Sequence, residues 1–231
     1  MFTPADWHIR TEPVPGQRPY AGQLTIAGTA NAATPRENTA LTLQLGVTGP
    51  PSLAGDVQQA WHRLIGYYPP LGWSHQIATA PEFRVGAAES RLLVGATIHD
   101  VPVFSVIPRA SVSAGNILTG ATAGVETRLG YGAGVPWSDG PGDHRQRFQI
   151  YLLSAARMDW VWTELVLDRS STNPAYTVSK LPWVSQYEFG GGVRLFFLEA
   201  EYRGVTRSRE YHTGPEGEPY AVTSVAVRRE W

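Results

Sequence analysis

The chain of 231 residues contains no cysteine, which excludes disulfides and thiolate metal sites and leaves the compartment open. Long apolar runs are missing as well. No stretch of about 18 apolar residues occurs, so a transmembrane helix is excluded. The opening MFTPADWHIR has neither the basic nor the apolar region of a signal peptide. Charge of one sign is scarce, for 19 Lys and Arg stand against 20 Asp and Glu, a formal net charge of -1. With no basic run and no stacking motif, that balance gives no argument for nucleic acid as a partner, and none is expected. Short catalytic signatures are missing too. Neither Ser52 nor Ser74 sits in a Gly-x-Ser-x-Gly elbow, and His75 has no His-Glu-x-x-His partner. Gly190-Gly191-Gly192 lacks the strand–loop–helix setting of a phosphate loop and reads as strand bending or close packing.

What the chain has instead is turns, aromatic rings and alternation. It holds 24 Gly and 18 Pro, and 8 Trp, 10 Tyr and 7 Phe against 2 Met. Period two dominates. In Thr39–Thr48, Leu41, Leu43, Leu45 and Val47 share one face. In Ala121–Tyr131, Val125, Leu129 and Tyr131 oppose Glu126 and Arg128, and in Phe196–Arg203, Phe196, Leu198 and Tyr202 oppose Glu199, Glu201 and Arg203. The pattern predicts nine strands: Tyr20–Ala30, Thr39–Thr48, Pro81–His99, Val103–Asn116, Thr119–Tyr131, Phe148–Leu167, Trp183–Phe196, Leu198–Tyr211 and Tyr220–Trp231. Several exceed the five or six residues usual in globular sheets.

Alternation alone does not choose between water outside and lipid outside. Long strands, short turns at one end, longer loops at the other and the terminal aromatic Trp231 favour an all-β, antiparallel up-and-down transmembrane β-barrel. A soluble β-sandwich binding module is the remaining alternative. Trp7, Trp61, Trp73, Trp137, Trp160, Trp162 and Trp183 are candidates for interfacial belts. Bacterial barrels of this kind have an even strand count. Nine strands therefore lead to the expectation of a single barrel domain over 1–231 that lacks an N-terminal portion.

One segment breaks the β pattern. The sequence of 49–76, GPPSLAGDVQQAWHRLIGYYPPLGWSHQ, predicts a helix over 52–66. Ser52 suits its N-cap, and Gly66 followed by Pro69-Pro70 closes it. Leu53, Val57, Ala60, Trp61 and Leu64 form an apolar stripe, expected to pack on the protein, from which Gln58 and His62 project away. Taken alone, His62 is a solvated histidine on a surface helix. His8, His99, His144 and His212 also fall at strand ends or loops and read as surface residues.

The ordered blocks say more. MFTP at 1–4, RPYAG at 18–22, then GPPSLAG, Val57-Gln58, His62-Arg63-Leu64-Ile65-Gly66, Gly72-Trp73 and Gln76 follow one another. Pro108, Gly115-Asn116 with Thr119, Arg128-Leu129-Gly130, Phe148–Leu167 with Asp168, Lys180 before Pro182, and Arg207-Ser208-Arg209-Glu210-Tyr211 complete the series. In this order the chain resembles the outer-membrane lipid A 3′-O-deacylases.

The resemblance implies a twelve-strand barrel in the bacterial outer membrane, of which about nine strands are present here. One extracellular loop helix would border a groove for lipid. It implies calcium-dependent hydrolysis of the ester that holds the 3′ acyl chains of lipid A, with lipopolysaccharide and the bilayer as partners. His62 inherits the role of general base, a role suited to imidazole. Arg18, Arg207 and Arg209 become candidates for substrate binding, because guanidinium pairs bidentately with phosphate. The alternative for these arginines is ordinary lumen or rim charge. No metal ligand is assigned in this chain.

Departures from the family pattern accompany the match. The Asn-Asp pair of the family's first strands has no counterpart, Gln17 stands where an Asp precedes the RPYAG block, and Thr79-Ala80-Pro81 replaces Asn-Glu-Pro, with Glu82 next to it. A non-catalytic barrel, acting as a pore or scaffold, is the functional alternative from a different class.

Overall fold

A computed structural model of the chain describes residues 11–12, 15–137, 148–168 and 178–227. The expectations for MFTP at 1–4, Trp7, His8, His144 and Trp231 lie outside the described residues. Ten strands form one antiparallel sheet: β1 (Gln23–Ala33), β2 (Glu37–Thr48), β3 (Pro81–Arg91), β4 (Val94–Ile98), β5 (Val101–Gly115), β6 (Leu118–Tyr131), β7 (Phe148–Glu164), β8 (Trp183–Leu195), β9 (Leu198–Arg207) and β10 (Glu218–Val227). Their order in space is their order in the chain, so every neighbour is an up-and-down neighbour. β3 and β4 share one position, because β5 pairs with β4 through its first half and with β3 through its second. The predicted strand Pro81–His99 is therefore present in two pieces. Counted by position, the sheet has the nine strands that alternation predicts.

Among the described residues two α-helices interrupt the strands, α1 (Ala54–Leu64) between β2 and β3 and the single turn α2 (Leu165–Asp168) after β7. The loop carrying α1 lies at the end of the sheet where β5 turns into β6, where α2 follows β7, and where β9 leads to β10. At the opposite end, β4 and β5 join through His99-Asp100, both at positive φ (49° and 63°), the geometry of a two-residue type I′ turn.

Side-chain exposure shows what surrounds the sheet. On β6, Leu129 is 59% exposed, whereas Glu126 and Arg128 are 1% and 5% exposed. Leu41, Leu43 and Leu45 of β2 and Phe83 and Val85 of β3 also face outward. Water outside would reverse this arrangement, since apolar surface leaves water at a gain of about 25 cal/mol per Å2. Lipid outside makes it favourable, and a sheet satisfies its backbone groups through inter-strand bonds. The molecule is a transmembrane barrel wall. The alternative of a soluble sandwich fails because the described residues form one sheet, with its apolar face outward.

The concave face is held by charge. Glu126 accepts from Arg128 Nε at 2.6 Å and meets Arg109 Nη2 and Arg203 Nη1, both at 3.1 Å. Arg203 continues to Glu188 at 2.8 Å and Glu201 at 2.6 Å, and the Tyr151 hydroxyl donates to Glu201 at 2.8 Å. The Arg128 guanidinium lies 4.7 Å from the centre of the Tyr151 ring. Gly192 is where that ring presses on the wall, for a Cβ there would sit 2.4 Å from the Tyr151 hydroxyl oxygen. Close packing, not a phosphate loop, explains the glycine run.

Among the described residues, β1 pairs with β2 alone and β10 with β9 alone. Nine antiparallel positions run β1 and β10 in the same direction, so these edges do not match as an antiparallel pair.

Among the described residues, three predicted strand ends are cut back by three residues or more, all at the end that carries α1. β1 starts at Gln23 and not Tyr20, because Tyr20 O accepts from Ile77 N and Gly22 O from Gly49 N. β7 stops at Glu164, where α2 begins, and β9 stops at Arg207, beyond which Tyr211 bridges to Lys180. At the opposite end Phe196, at φ +55°, turns the chain between β8 and β9 and is not part of either strand.

Candidate functional site

The loops at the α1 end pack into a cap. Ala21, Ile77, Leu165 and Val166 form one buried cluster, and Tyr20, Ala54 and Trp73 form a second. Leu167, Val178 and Tyr211 make a third. RPYAG thus supplies the cap with its centre, since Tyr20 and Ala21 belong to different clusters and Arg18 reaches a third loop. Burial pushes the Tyr20 phenol above its ordinary pKa, opposed by a hydrogen bond from the Gly72 backbone.

α1 does not begin as predicted. Ser52 closes a short 3-10 turn, Pro50–Ser52, with its hydroxyl donating to Gly49 O at 2.6 Å. It accepts only a long 3.4 Å contact from Ala54 N–H, and Leu53, at φ +56°, takes the cap position. Pro50 and Pro51 favour that turn by fixing their own φ. The hydroxyl is thereby occupied, consistent with the absence of a serine elbow.

The packing of α1 is the reverse of that expected. Leu53, Val57, Ala60, Trp61 and Leu64 face outward, with Trp61 57% and Leu64 76% exposed. Ala54, Gly55, Gln58 and His62 turn toward the cap. Gln58 Oε1 accepts from Trp73 Nε1 at 2.9 Å, and Trp73 in turn stands edge-on to Tyr20 at 5.1 Å. Gly72 lets these rings close, for a Cβ there would lie 2.3 Å from Tyr20 Cε2. Gly72→Ala is expected to destabilise the cap by about 1–3 kcal/mol through overpacking. Faster tryptic cleavage after Arg63 in the folded chain would show it, and an unchanged rate would mean that the ring pair is not what holds α1.

The end of α1 positions His62. Gly66, at φ +69°, takes the left-handed conformation that ends helices, and Tyr67 N–H donates back to His62 O at 2.8 Å. This turn folds the next residues over the histidine. His62 Nδ1 lies 2.6 Å from Tyr68 O, and the Tyr67 ring stands edge-on to the imidazole at 5.4 Å. Tyr67 and Tyr68 are themselves exposed, as are Ile65 and Leu71. His62 is thus a half-buried imidazole set in an apolar, aromatic rim.

The three arginines do not form one set. Arg18 Nη2 pairs with Glu210 at 2.9 Å, and its guanidinium lies 5.7 Å from the centre of the Tyr211 ring. Arg207 pairs with the same Glu210 and faces Asp159 at 3.7 Å. Arg209 pairs instead with exposed Glu216 at 2.7 Å. Arg207 also borders a cavity of about 450 Å3 on the concave face, with Arg84, Arg157, Asp159 and Glu164. Lys180, in the matched series, holds Asp168 at 2.6 Å, and Asp168 accepts from the Glu164 amide at 2.7 Å, fixing α2.

Calcium takes six to eight oxygen ligands. Among the described residues no three His, Asp or Glu side chains gather where a metal ion could sit. Glu82 is buried, but its Oε1 accepts from Gln23 at 2.6 Å. The described residues alone supply no complete ligand set for the ion.

Comparison with known proteins identifies the chain. The family model described as outer membrane protein LpxR matches residues 1–229. The chain belongs to this family. A solved structure, LpxR from Salmonella typhimurium, aligns with a TM-score of 0.85 at 19% identity, covering 98% of this chain and 79% of that one. At that identity the likeness to LpxR shows the fold, a barrel wall of the same kind. No curated protein sequence matches. Membership makes the chain one of a family of outer-membrane proteins, in agreement with its outward apolar face.

Sequence reasoning missed the carbonyl of Tyr68 as a hydrogen-bond partner of His62. No residue type marks a backbone acceptor. Gly66 was the available signal, since a left-handed helix end brings the residues after it back onto the last turn.

Proposed function

We propose that the chain is an outer-membrane hydrolase that removes 3′-linked acyl chains from lipid A, with His62 as the base that activates water. The hydrogen bond between His62 Nδ1 and Tyr68 O carries the reading. A carbonyl only accepts, so Nδ1 is the donor, and in the neutral ring that leaves the lone pair at Nε2. Nε2 then takes a proton from water as the water oxygen attacks the ester carbonyl. The same proton passes to the departing sugar oxygen when the ester C–O bond breaks, leaving a fatty acid and a free hydroxyl. Tyr68 O keeps the ring oriented and stabilises the imidazolium formed between these steps, the part an orienting acceptor plays for other catalytic histidines.

The surroundings support a lipid substrate. The rim of Ile65, Tyr67, Tyr68 and Leu71 is exposed and apolar, which suits an acyl chain better than a soluble metabolite. In this reading the α1 end faces outside the cell, where lipid A lies. Arg209, on the surface, is the arginine placed to exchange its exposed Glu216 partner for a phosphate. Arg18 and Arg207 share Glu210 within the cap and would act there by positioning it.

Calcium belongs to the proposal through the family resemblance alone. Vesicles that contain lipid A and the folded chain are expected to yield free 3′ acyl chains, read by mass spectrometry. Loss of release on chelation, with recovery on adding calcium, would bring the ion into the account, and unchanged release would remove it. No release with calcium supplied would overturn the hydrolase in favour of a non-catalytic barrel.

A further inference from the structure

The outward stripe of α1 has no partner role in the chemistry above. Leu53, Val57, Trp61 and Leu64 are all more than half exposed, and they lie on the opposite side of the helix from Gly55, Gln58 and His62. A helix in water turns such a stripe inward. α1 turns it outward, as the strands turn out their leucines, so helix and sheet obey one rule of solvent. The helix also sits beside the lipid-facing wall. Only Gly49–Leu53 separate it from the end of β2, a span of at most about 18 Å for five residues. Leu43, Leu45, Phe83 and Val85 of β2 and β3 continue the exposed apolar surface below it. Trp162 and Trp183, exposed at the same end of β7 and β8, mark the level at which aromatic side chains meet an interface.

We infer that α1 is an interfacial membrane helix, its stripe seated in the boundary between headgroups and acyl chains of the outer leaflet. Amphipathic helices bind there through their apolar face while the polar flank stays wet. Asp56 and Arg63 form that flank, exposed and off the stripe. The inward face then presents His62 beside the bilayer surface, so an acyl ester need not leave the leaflet to reach it. The inference rests on the membrane placement of the barrel and not on the hydrolase reading, so either can fail without the other.

The absence of native cysteine makes single-site labelling direct. Val57→Cys, Leu64→Cys and, as the wet reference, Arg63→Cys are each labelled with an environment-sensitive fluorophore in the full chain, folded into phosphatidylcholine vesicles. All three positions are already exposed, so the fold is expected to persist, and circular dichroism confirms it. The expected result is emission shifted to shorter wavelength at 57 and 64 relative to 63, with loss of intensity when the lipid carries a doxyl group near its headgroup. Equal emission at all three sites overturns the inference. So does a blue shift at 57 and 64 that doxyl lipid fails to quench, since that result assigns the stripe to another protein surface.

Discussion

Replacing Glu126 with alanine is expected to destabilise the folded barrel by about 3–5 kcal/mol, the usual cost of removing one member of a buried ion pair. Glu126 is the shared acceptor for Arg109, Arg128 and Arg203, and it is 1% exposed. Its loss leaves guanidinium charge on the concave face that Glu188 and Glu201 only partly match. Glu126→Gln keeps an acceptor oxygen and the side-chain volume, so a smaller loss is expected. Urea unfolding of the vesicle-folded chain, followed by tryptophan fluorescence, reads both variants. An unchanged midpoint for Glu126→Ala would mean that the network contributes charge balance but no stability. The exposed Arg63→Ala serves as reference, since surface substitutions fall within about 0.5 kcal/mol of neutral.

That network also shows where sequence reading stops. The strands were legible because the pleat alternates side chains, and Glu126 and Arg128 could be placed on one face of β6 from spacing alone. Their partners could not. Glu126 meets Arg203 across 77 positions and Arg18 meets Glu210 across 192, and only the curvature of the sheet and the folding of the cap decide those meetings. The strand ends that moved at the α1 end have the same cause, since Tyr20 to Gly22 and the residues after Arg207 exchange ladder bonds for contacts within the cap.

α1 teaches a different lesson. Its position followed from Pro50, Gly66 and the helical spacing of the apolar residues, and its stripe was identified residue by residue. The side it would turn to the protein was not. The rule that an apolar stripe faces inward assumes water outside, and the same assumption would invert β2. Once lipid surrounds the wall, the inward direction of Gln58 and His62 agrees with the outward leucines. The candidate base was legible through the family blocks, whereas the Tyr68 carbonyl that fixes its proton was not.

His62→Ala is expected to slow the release of 3′ acyl chains by about 100- to 10,000-fold, the range that general base catalysis supplies. Alanine is the strongest helix former, and His62 sits in the last turn of α1, so the variant is expected to keep the fold while losing the proton acceptor at Nε2. Loss of the bond to Tyr68 frees the Tyr67-Tyr68 turn without removing the rim. The measurement that bears most directly on the site is therefore the initial rate of 3′ acyl release from lipid A in vesicles, taken by mass spectrometry for the native chain and His62→Ala at equal folded concentration. The account predicts release by the native chain and a fall of at least about 100-fold in the variant. Equal rates from the two proteins would contradict it.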